Sequence, residues 1–212
     1  MNFSGKQVED HNGQISELNN YFTNQGYCQL NNLFHPQLVE YLKINSQTQS
    51  LESGLEANDN NFFGKNITTS LPLSQYSTPF GENLLIYLTP IYSQILRKNL
   101  IPTYSYFRKY FKNQILKKHT DRPSCQYSAT IQLDRSENKT WPIWIKNKLN
   151  KDVKLSANMG DVIFYKGEEV LHWRKKLKYE YSSHIFLHWV DGDDPNYNEY
   201  WWDGRERLGI PR

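Results

Sequence analysis

Apolar residues in the first half of the chain recur every three or four positions, the spacing of helices that bury one face. Three such stretches predict helices from about Ile15 until Gly26, from Pro36 to about Ser46, and over residues 82–98. Pro36 suits the first position of a helix because its φ angle is fixed and its missing N–H would have no partner there. The third stretch has the clearest pattern and comprises Leu84, Leu85, Leu88, Ile91, Tyr92, Ile95 and Leu96.

Short runs of β-branched and aromatic residues dominate the chain after Pro102, and clusters of Asn, Gly, Lys or Asp separate them. Such runs predict strands. They are residues 103–111, 115–120, 126–133, 141–145, 153–155, 161–165, 170–174 and 183–190, with an earlier one at 27–30. Roughly eight short strands after two or three helices predict a mainly β fold with flanking α (α+β), a sandwich or barrel with helices packed on one side.

Residues 46–80 are rich in Ser, Asn, Thr and Gly and have few periodic apolar positions, so they are expected to form a long loop. A loop of this length is often a lid or binding segment, and a surface insertion would have the same composition. We expect one domain over residues 1–212. Helical support and the possible lid occupy 1–101, the sheet core 102–190, and a tail that packs back on the barrel 191–212.

Composition narrows the class of protein. Hydrophobic residues make up 38% of the chain and the mean hydropathy is -0.77, while aromatic residues reach 15%, which together indicate a polar surface and an aromatic core. The net charge of +3 is too small to indicate nucleic acid, since such binders concentrate basic residues in patches. Cys28 and Cys125 form no disulfide framework, and free thiols are typical of a reducing cytosol.

The start of the chain has no apolar core of signal-peptide length, and no run approaches the roughly 20 apolar residues of a membrane span. We therefore expect a cytoplasmic protein that does not associate with membranes.

One spacing of His and Asp residues indicates metal chemistry. His119 and Asp121 are two positions apart on a predicted strand and should point to the same side, and His172 follows on another strand. Such a pair alone is common by chance, but a buried His172 would need a polar partner inside the barrel. Two imidazoles and one carboxylate fit non-haem Fe(II) with open positions, whereas three histidines would suit catalytic zinc. We predict an iron site formed by His119, Asp121 and His172.

The segment from about Thr103 to Val190 resembles the 2-oxoglutarate and Fe(II)-dependent oxygenases of the prolyl-hydroxylase-like group. The matching motifs are Tyr-Ser-Tyr-Phe-Arg-Lys-Tyr at 104–110, Lys-His-Thr-Asp at 118–121, Ser-Ala-Thr-Ile-Gln-Leu at 128–133, Gly-Asp-Val-Ile-Phe-Tyr at 160–165, His-Trp-Arg at 172–174 and His-Ile-Phe-Leu-His-Trp at 184–189. The resemblance implies a double-stranded β-helix (jelly roll) with N-terminal supporting helices. It also implies that 2-oxoglutarate and O₂ are consumed, giving succinate and carbon dioxide, to attack a substrate C–H bond. Related halogenases lack a carboxylate at the position of Asp121, so its presence implies hydroxylation or desaturation.

The resemblance leaves the 2-oxoglutarate anchor open. The group usually binds the distal carboxylate with Arg or Lys about nine to twelve residues after the second histidine, where residues 181–184 are Tyr, Ser, Ser and His. Arg174 is a candidate replacement, because a guanidinium can bind a carboxylate through two hydrogen bonds, although it could equally be a solvated turn charge. Further candidates for 2-oxoglutarate binding are Tyr110, Thr130, Ser182 and His184, with Arg108 as an alternative cation.

Three residues are candidates for contact with the substrate. Arg122 could clamp an acidic substrate or form a structural salt bridge. Gln132 could line the pocket or be a bonded polar residue of the core. Trp144, with Trp141, could form a substrate wall or pack in the core. Of the remaining residues, His188 is expected to satisfy a hydrogen bond in the core.

The leading hypothesis is an oxygenase that hydroxylates an amino acid, a peptidyl residue or a related small molecule. The alternative is a non-catalytic cupin-like jelly roll that binds a metal or small ligand, to which the same histidines would be suited. An AlkB-like nucleic-acid demethylase would carry two arginines six residues apart after the second histidine. Glu180 stands six residues after Arg174, so that signature is missing.

Overall fold

The computed structural model describes residues 11–52 and 73–210. Three helices, α1 (His11–Gln25), α2 (Pro36–Glu52) and α3 (Pro79–Leu96), precede most of the strands. Helix α3 begins where the Thr78 hydroxyl accepts a hydrogen bond from the Gly81 N–H at 3.1 Å. It ends at Arg97, whose left-handed backbone (φ 54°) closes the last turn. No helix in these two ranges has both the length and the apolar character needed to cross a membrane.

In the part of the chain that the structure describes, ten strands form two antiparallel sheets. They are β1 (Tyr27–Leu30), β2 (Leu73–Tyr76), β3 (Leu100–Phe111), β4 (Leu116–His119), β5 (Tyr127–Arg135), β6 (Ile143–Lys146), β7 (Asp152–Leu155), β8 (Val162–Tyr165), β9 (His172–Arg174) and β10 (Tyr181–Asp191). One sheet has the order β1-β8-β5-β10-β3-β2 and the other β4-β9-β6-β7. This is a jelly roll, and all nine predicted strands are present; β2 is the strand that the sequence pattern did not predict.

The two faces of the six-stranded sheet differ in chemistry because side chains alternate along each strand. On β5, Ala129, Ile131 and Leu133 pack in the main hydrophobic core with Leu85 and Leu88 of α3. The alternate residues of β5 and β10 point to the other face, between the sheets, and comprise Ser128, Thr130, Gln132, Ser182, His184, Phe186 and His188. The barrel interior therefore collects buried polar side chains.

The predicted loop at residues 46–80 is shorter at both ends than expected. Helix α2 continues to Glu52 instead of ending near Ser46, because the Ser46 hydroxyl donates to the Lys43 carbonyl at 2.8 Å and fits within the helix. At the other end, β2 pairs with β3 and α3 begins at Pro79. The remaining part of the predicted lid, residues 53–72, lies outside the described residues.

The C-terminal tail packs against α3 and β3, as predicted. A kinked 3₁₀ segment spans Pro195–Gly204, and Arg205 follows it. The Arg205 guanidinium is 2.6 Å from Glu82 of α3, both side chains being 3% exposed, and it donates to the Thr103 carbonyl at 2.9 Å. A buried ion pair with an added hydrogen bond thus attaches the tail to the barrel.

Candidate metal centre

Three side chains with nitrogen or oxygen donors converge where β4 and β9 pair. His119 ends β4 and His172 begins β9, and they are direct partners in the register. Asp121 lies just beyond β4, and its Oδ1 is 3.4 Å from Nε2 of each histidine. Metal–ligand bonds of roughly 2.1 Å place adjacent ligands of an octahedral ion about 3 Å apart. The arrangement therefore has the dimensions of a site for one metal ion.

Backbone carbonyls orient both imidazoles. Nδ1 of His119 is 2.7 Å from the Lys117 carbonyl, and Nδ1 of His172 is 3.0 Å from the Val170 carbonyl. A carbonyl can only accept, so each Nδ1 carries a proton, and Nε2 is the ring atom that is left to bind a metal in place of the proton it shares with Asp121. Because Nε2 is the atom that faces Asp121, both rings present a donor to the same point, as metal-binding histidines do.

Asp121 supplies a negative charge at this point. Although burial raises its pKa, the charge of His172 and hydrogen bonds from both histidines hold that pKa well below its usual range. Burial lowers the pKa of His119, but the hydrogen bond and charge of Asp121 outweigh it and raise that pKa. The ionised carboxylate thus attracts cations to the cluster.

A chain of hydrogen bonds fixes the other oxygen of Asp121. The Ser128 hydroxyl donates to Oδ2 at 3.0 Å and is 2.9 Å from Nδ1 of His188. Burial lowers the pKa of His188 to about 4, so its ring is neutral and can donate to Ser128. A Cβ at Gly167 would lie 2.4 Å from Oδ2, which is too close, so only glycine permits this packing. His188 bonds inside the core as predicted.

A second group among the described residues, Asp121, Cys125 and His188, also has ligand atoms within 4.8 Å of one another. It shares Asp121 with the first group. Burial and the charge of Asp121 raise the pKa of the Cys125 thiol well above its usual value, and the thiol is 3.1 Å from the Tyr104 hydroxyl. A protonated thiol is a poor metal ligand, so His119, Asp121 and His172 are the stronger candidates.

The three candidate ligands, His119, Asp121 and His172, lie at the wall of a cavity of about 500 Å³. Tyrosines form much of its wall, and two cations reach it, Arg108 and Arg122. Arg122 makes two bonds to Asp203 of the tail, at 2.8 and 2.9 Å, and lies 4.6 Å from the centre of the Tyr104 ring. Arg122 therefore lines the cavity and forms an ion pair, which is the structural alternative to a substrate contact. Arg108 is buried on β3 and lies over the Tyr110 ring at 5.4 Å.

Arg174 occupies the barrel interior instead of a solvated turn, since it is only 4% exposed. It lies two residues after His172, and both are buried while Trp173 between them is half-buried, which places them on one strand face. Its guanidinium donates to the Trp141 carbonyl and, at 3.2 Å, to the Thr130 hydroxyl. No carboxylate within the described ranges forms an ion pair with it, and its Nε has no hydrogen-bond partner there.

Three of the residues proposed for 2-oxoglutarate binding, Thr130, His184 and Ser182, form one buried network with Arg174. Nδ1 of His184 is 3.5 Å from the Arg174 guanidinium, and its Nε2 is 2.8 Å from the Ser182 hydroxyl. Burial lowers the pKa of Arg174 to about 10, so it stays cationic at neutral pH, and burial together with Arg174 holds the pKa of His184 well below its usual value. A buried cation among neutral donors fits the carboxylate of a co-substrate.

Two predicted substrate contacts do not line this cavity. Gln132 is buried in the network, where its amide nitrogen donates to the Ser182 hydroxyl at 2.8 Å, so it is a bonded residue of the core. Trp144 lies on the outer face of the second sheet because its neighbours Ile143 and Ile145 take the inner face. The sequence pattern also gave no role to Ser128 or Gly167, although Ser128 alternates with Thr130 and Gln132.

No protein-family model matches the chain, and no curated protein sequence matches it. Solved structures do. A Pseudomonas putida prolyl-4-hydroxylase has a TM-score of 0.64 at 14% identity, covering 82% of this chain and 98% of its own. A Trichoplax adhaerens prolyl hydroxylase in complex with a hypoxia inducible factor peptide fragment has a TM-score of 0.66 at 14% identity, covering 92% and 97%.

The epimerase SnoN in complex with Fe³⁺, α-ketoglutarate and nogalamycin RO has a TM-score of 0.68 at 9% identity, covering 85% of this chain and 84% of its own. At such identities the comparison shows the fold. The chain has the double-stranded β-helix fold of the 2-oxoglutarate and Fe(II) oxygenases, as the sequence motifs predict.

Proposed function

We propose that this protein is an Fe(II)- and 2-oxoglutarate-dependent dioxygenase that hydroxylates a C–H bond of an amino acid, a peptidyl residue or a related small molecule. The observation that carries the proposal is the convergence of two imidazole Nε2 atoms and one carboxylate oxygen beside a cavity. His119, Asp121 and His172 would hold the ion on one face and leave the opposite face open. Oxygenases of the same fold support this assignment.

The interior network would hold 2-oxoglutarate. Arg174 would bind the distal carboxylate, because it is a buried cation with neutral partners and has one N–H without a hydrogen-bond partner among the described residues. Thr130, His184 and Ser182 would orient it or donate to the same group. Arg108 and Tyr110, which line the cavity, are the alternative contacts. The two arginines can be distinguished by substitution.

Bound iron and 2-oxoglutarate would supply the oxidising chemistry by which R–H, O₂ and 2-oxoglutarate become R–OH, succinate and carbon dioxide. The residues of this chain orient the reactants and limit the access of water. Asp121 stays ionised through its low pKa, and the hydrogen bonds from each Nδ1 to a backbone carbonyl keep both Nε2 atoms turned toward the position of the ion. Tyr165, packed 4.7 Å from the His172 ring, and Tyr110 close the cavity around the cluster.

The cavity gives one indication of substrate chemistry. Tyr76, Tyr104 and Tyr106 offer flat walls with hydroxyl groups, and Arg108 offers a positive charge. A substrate with an apolar carbon skeleton and an anionic or carbonyl group would match them. Arg122 could add a second contact if it exchanged Asp203 for the substrate.

Anaerobic reconstitution with Fe(II) and 2-oxoglutarate tests the proposal. We expect a visible charge-transfer band that His119→Ala or Asp121→Ala abolishes and that replacement of the exposed His35 leaves unchanged. Admission of O₂ should then produce succinate. A metal-binding protein that yields neither the band nor succinate would be the cupin-like alternative.

A further inference from the structure

Two tryptophans lie on the face of the four-stranded sheet that points away from the candidate metal ligands. Trp173 is half-buried between the buried His172 and Arg174, so it takes the opposite face of β9. Trp144 of β6 pairs with Trp173 across the strands, and their ring centres are 6.2 Å apart with an interplanar angle of 17°. Lys154 of β7 is the next partner of Trp144. The outer face thus carries two near-parallel indoles in a row across the sheet.

Lysines surround these indoles. Nζ of Lys118 is 4.1 Å from the centre of the Trp173 ring, and Nζ of Lys175 is 4.1 Å from that of Trp144. A groove of about 300 Å³ adjoins Trp144, and none of the described residues that line it is acidic. Its five lysines are Lys139, Lys154, Lys175, Lys176 and Lys178.

Most of this positive charge has no carboxylate partner among the described residues. In residues 11–52 and 73–210, no carboxylate lies within 4.0 Å of the ammonium groups of Lys154, Lys175, Lys176 or Lys178. Two lysines at the edges of the surface do form ion pairs: Lys139 with Glu137 at 2.6 Å and Lys118 with Asp152 at 3.9 Å. The net charge of +3 does not indicate that so many lysines lie together on one face. Such a local positive charge would attract a polyanion.

The indoles distinguish between kinds of polyanion. An acidic peptide would engage the ammonium groups and leave the ring faces unused. A single-stranded nucleic acid would use both, with phosphates on the lysines and bases on the rings. A lysine over an exposed ring contributes roughly two- to fivefold in binding. A stacked base contributes roughly five- to 150-fold, so a base can displace the lysine, which is then free to contact a phosphate.

We propose that the Lys–Trp surface, defined by Trp144, Trp173, Lys118 and the five groove lysines, binds single-stranded nucleic acid. The proposal does not rest on the oxygenase function, because the surface lies on the far side of the sheet from His119 and His172. The surface would hold the strand while the metal cavity stays free.

Fluorescence anisotropy with labelled 20-nucleotide dT and rU strands tests the proposal on the full chain at low salt. Wild type should bind at least one strand, and affinity should fall as salt rises. Lys175→Gln/Lys178→Gln should weaken binding at low salt and reduce the salt slope by about one to two. The control Lys43→Gln/Arg207→Gln also removes two positive charges, one from α2 and one from the tail. It should change neither the affinity at low salt nor the salt slope.

Trp144→Leu separates stacking from charge. It should lower affinity at least fivefold and leave the salt slope unchanged, with thermal unfolding used to confirm that the variant is folded. Bound strand should also quench part of the tryptophan fluorescence in wild type and less in the variant. Absence of binding to both strands overturns the proposal. So does an equal affinity for polyglutamate, or binding that Trp144→Leu leaves unchanged, since either result indicates a site for acidic peptides or any polyanion.

Discussion

The Ser128 hydroxyl donates to Oδ2 of Asp121 at 3.0 Å, which leaves Oδ1 as the oxygen that faces both histidines. The donor comes from β5 in the six-stranded sheet, whereas the histidines come from the four-stranded sheet. The orientation of the carboxylate therefore depends on the packing of one sheet against the other. A carboxylate held in this way is prepared for a metal before one binds.

Ser128→Ala should weaken Fe(II) binding by about 10- to 100-fold, the usual effect of losing a bond that orients a metal ligand. Anaerobic titration with Fe(II) measures the affinity directly, without turnover. The matched control is Ser183→Ala, a buried serine on the neighbouring β10 that takes no part in this chain of bonds. Equal Fe(II) affinities for the two variants would contradict the role of Ser128.

Arg174→Gln should raise the KM for 2-oxoglutarate by roughly 10- to 150-fold, because it removes a charge-assisted hydrogen bond to the carboxylate. The affinity for Fe(II) should stay nearly unchanged, since Arg174 is not among the metal donors. Lys175→Gln alters the adjacent exposed residue and should leave the KM as in wild type. If Arg108→Gln raises the KM and Arg174→Gln does not, Arg108 is the anchor.

The sequence predicted the strands and the convergence of His119, Asp121 and His172 for a common reason. Alternation on β5 and the two-residue spacing of His119 and Asp121 are local signals that a strand converts directly into a shared face. His172 lies 51 positions after Asp121, and only the motif resemblance could connect the two, because register between distant strands is not a local property. The same limit explains the outward position of Trp144 and the unpredicted role of Ser128.

The sequence pattern also predicts short edge strands and the ends of helices poorly. Strand β2 has four residues and exists because it pairs with the edge of β3, which its own sequence does not indicate. Helix α2 extends past its apolar stripe because polar side chains such as Thr48 bond back to the preceding turn at 2.8 Å. Apolar periodicity therefore locates elements better than it locates their boundaries.

His184→Asn should reduce the loss of stability at acid pH. Burial holds the folded-state pKa of His184 well below 6.5, so the unfolded chain takes up a proton that the folded chain does not. The contribution of this residue to stability is therefore present above the unfolded-state pKa of about 6.5 and is lost as the pH falls below it. The difference between urea unfolding at pH 7.5 and 5.5 measures the effect. His35→Asn, at an exposed position, should show the same difference in unfolding free energy between the two pH values as wild type. If His184→Asn also shows the wild-type difference, the loss of stability at acid pH does not come from His184.

Either single change in the pair formed by Glu82 and Arg205, Glu82→Gln or Arg205→Met, should destabilise the protein by about 3–5 kcal/mol, because each leaves the other charge buried without its partner. The double change Glu82→Met/Arg205→Met removes both charges and should recover most of that loss. Urea unfolding followed by tryptophan fluorescence gives the three free energies of unfolding.

The exposed pair Glu137 and Lys139 provides a control at the same separation, 2.6 Å. Glu137→Gln should leave the free energy of unfolding nearly unchanged, since solvent screens an exposed pair. Arg205 also holds the tail from which Asp203 reaches Arg122 at the cavity, so the single variants should expose the tail to protease. Additive losses in the double variant would mean that Glu82 and Arg205 stabilise the fold through separate contacts.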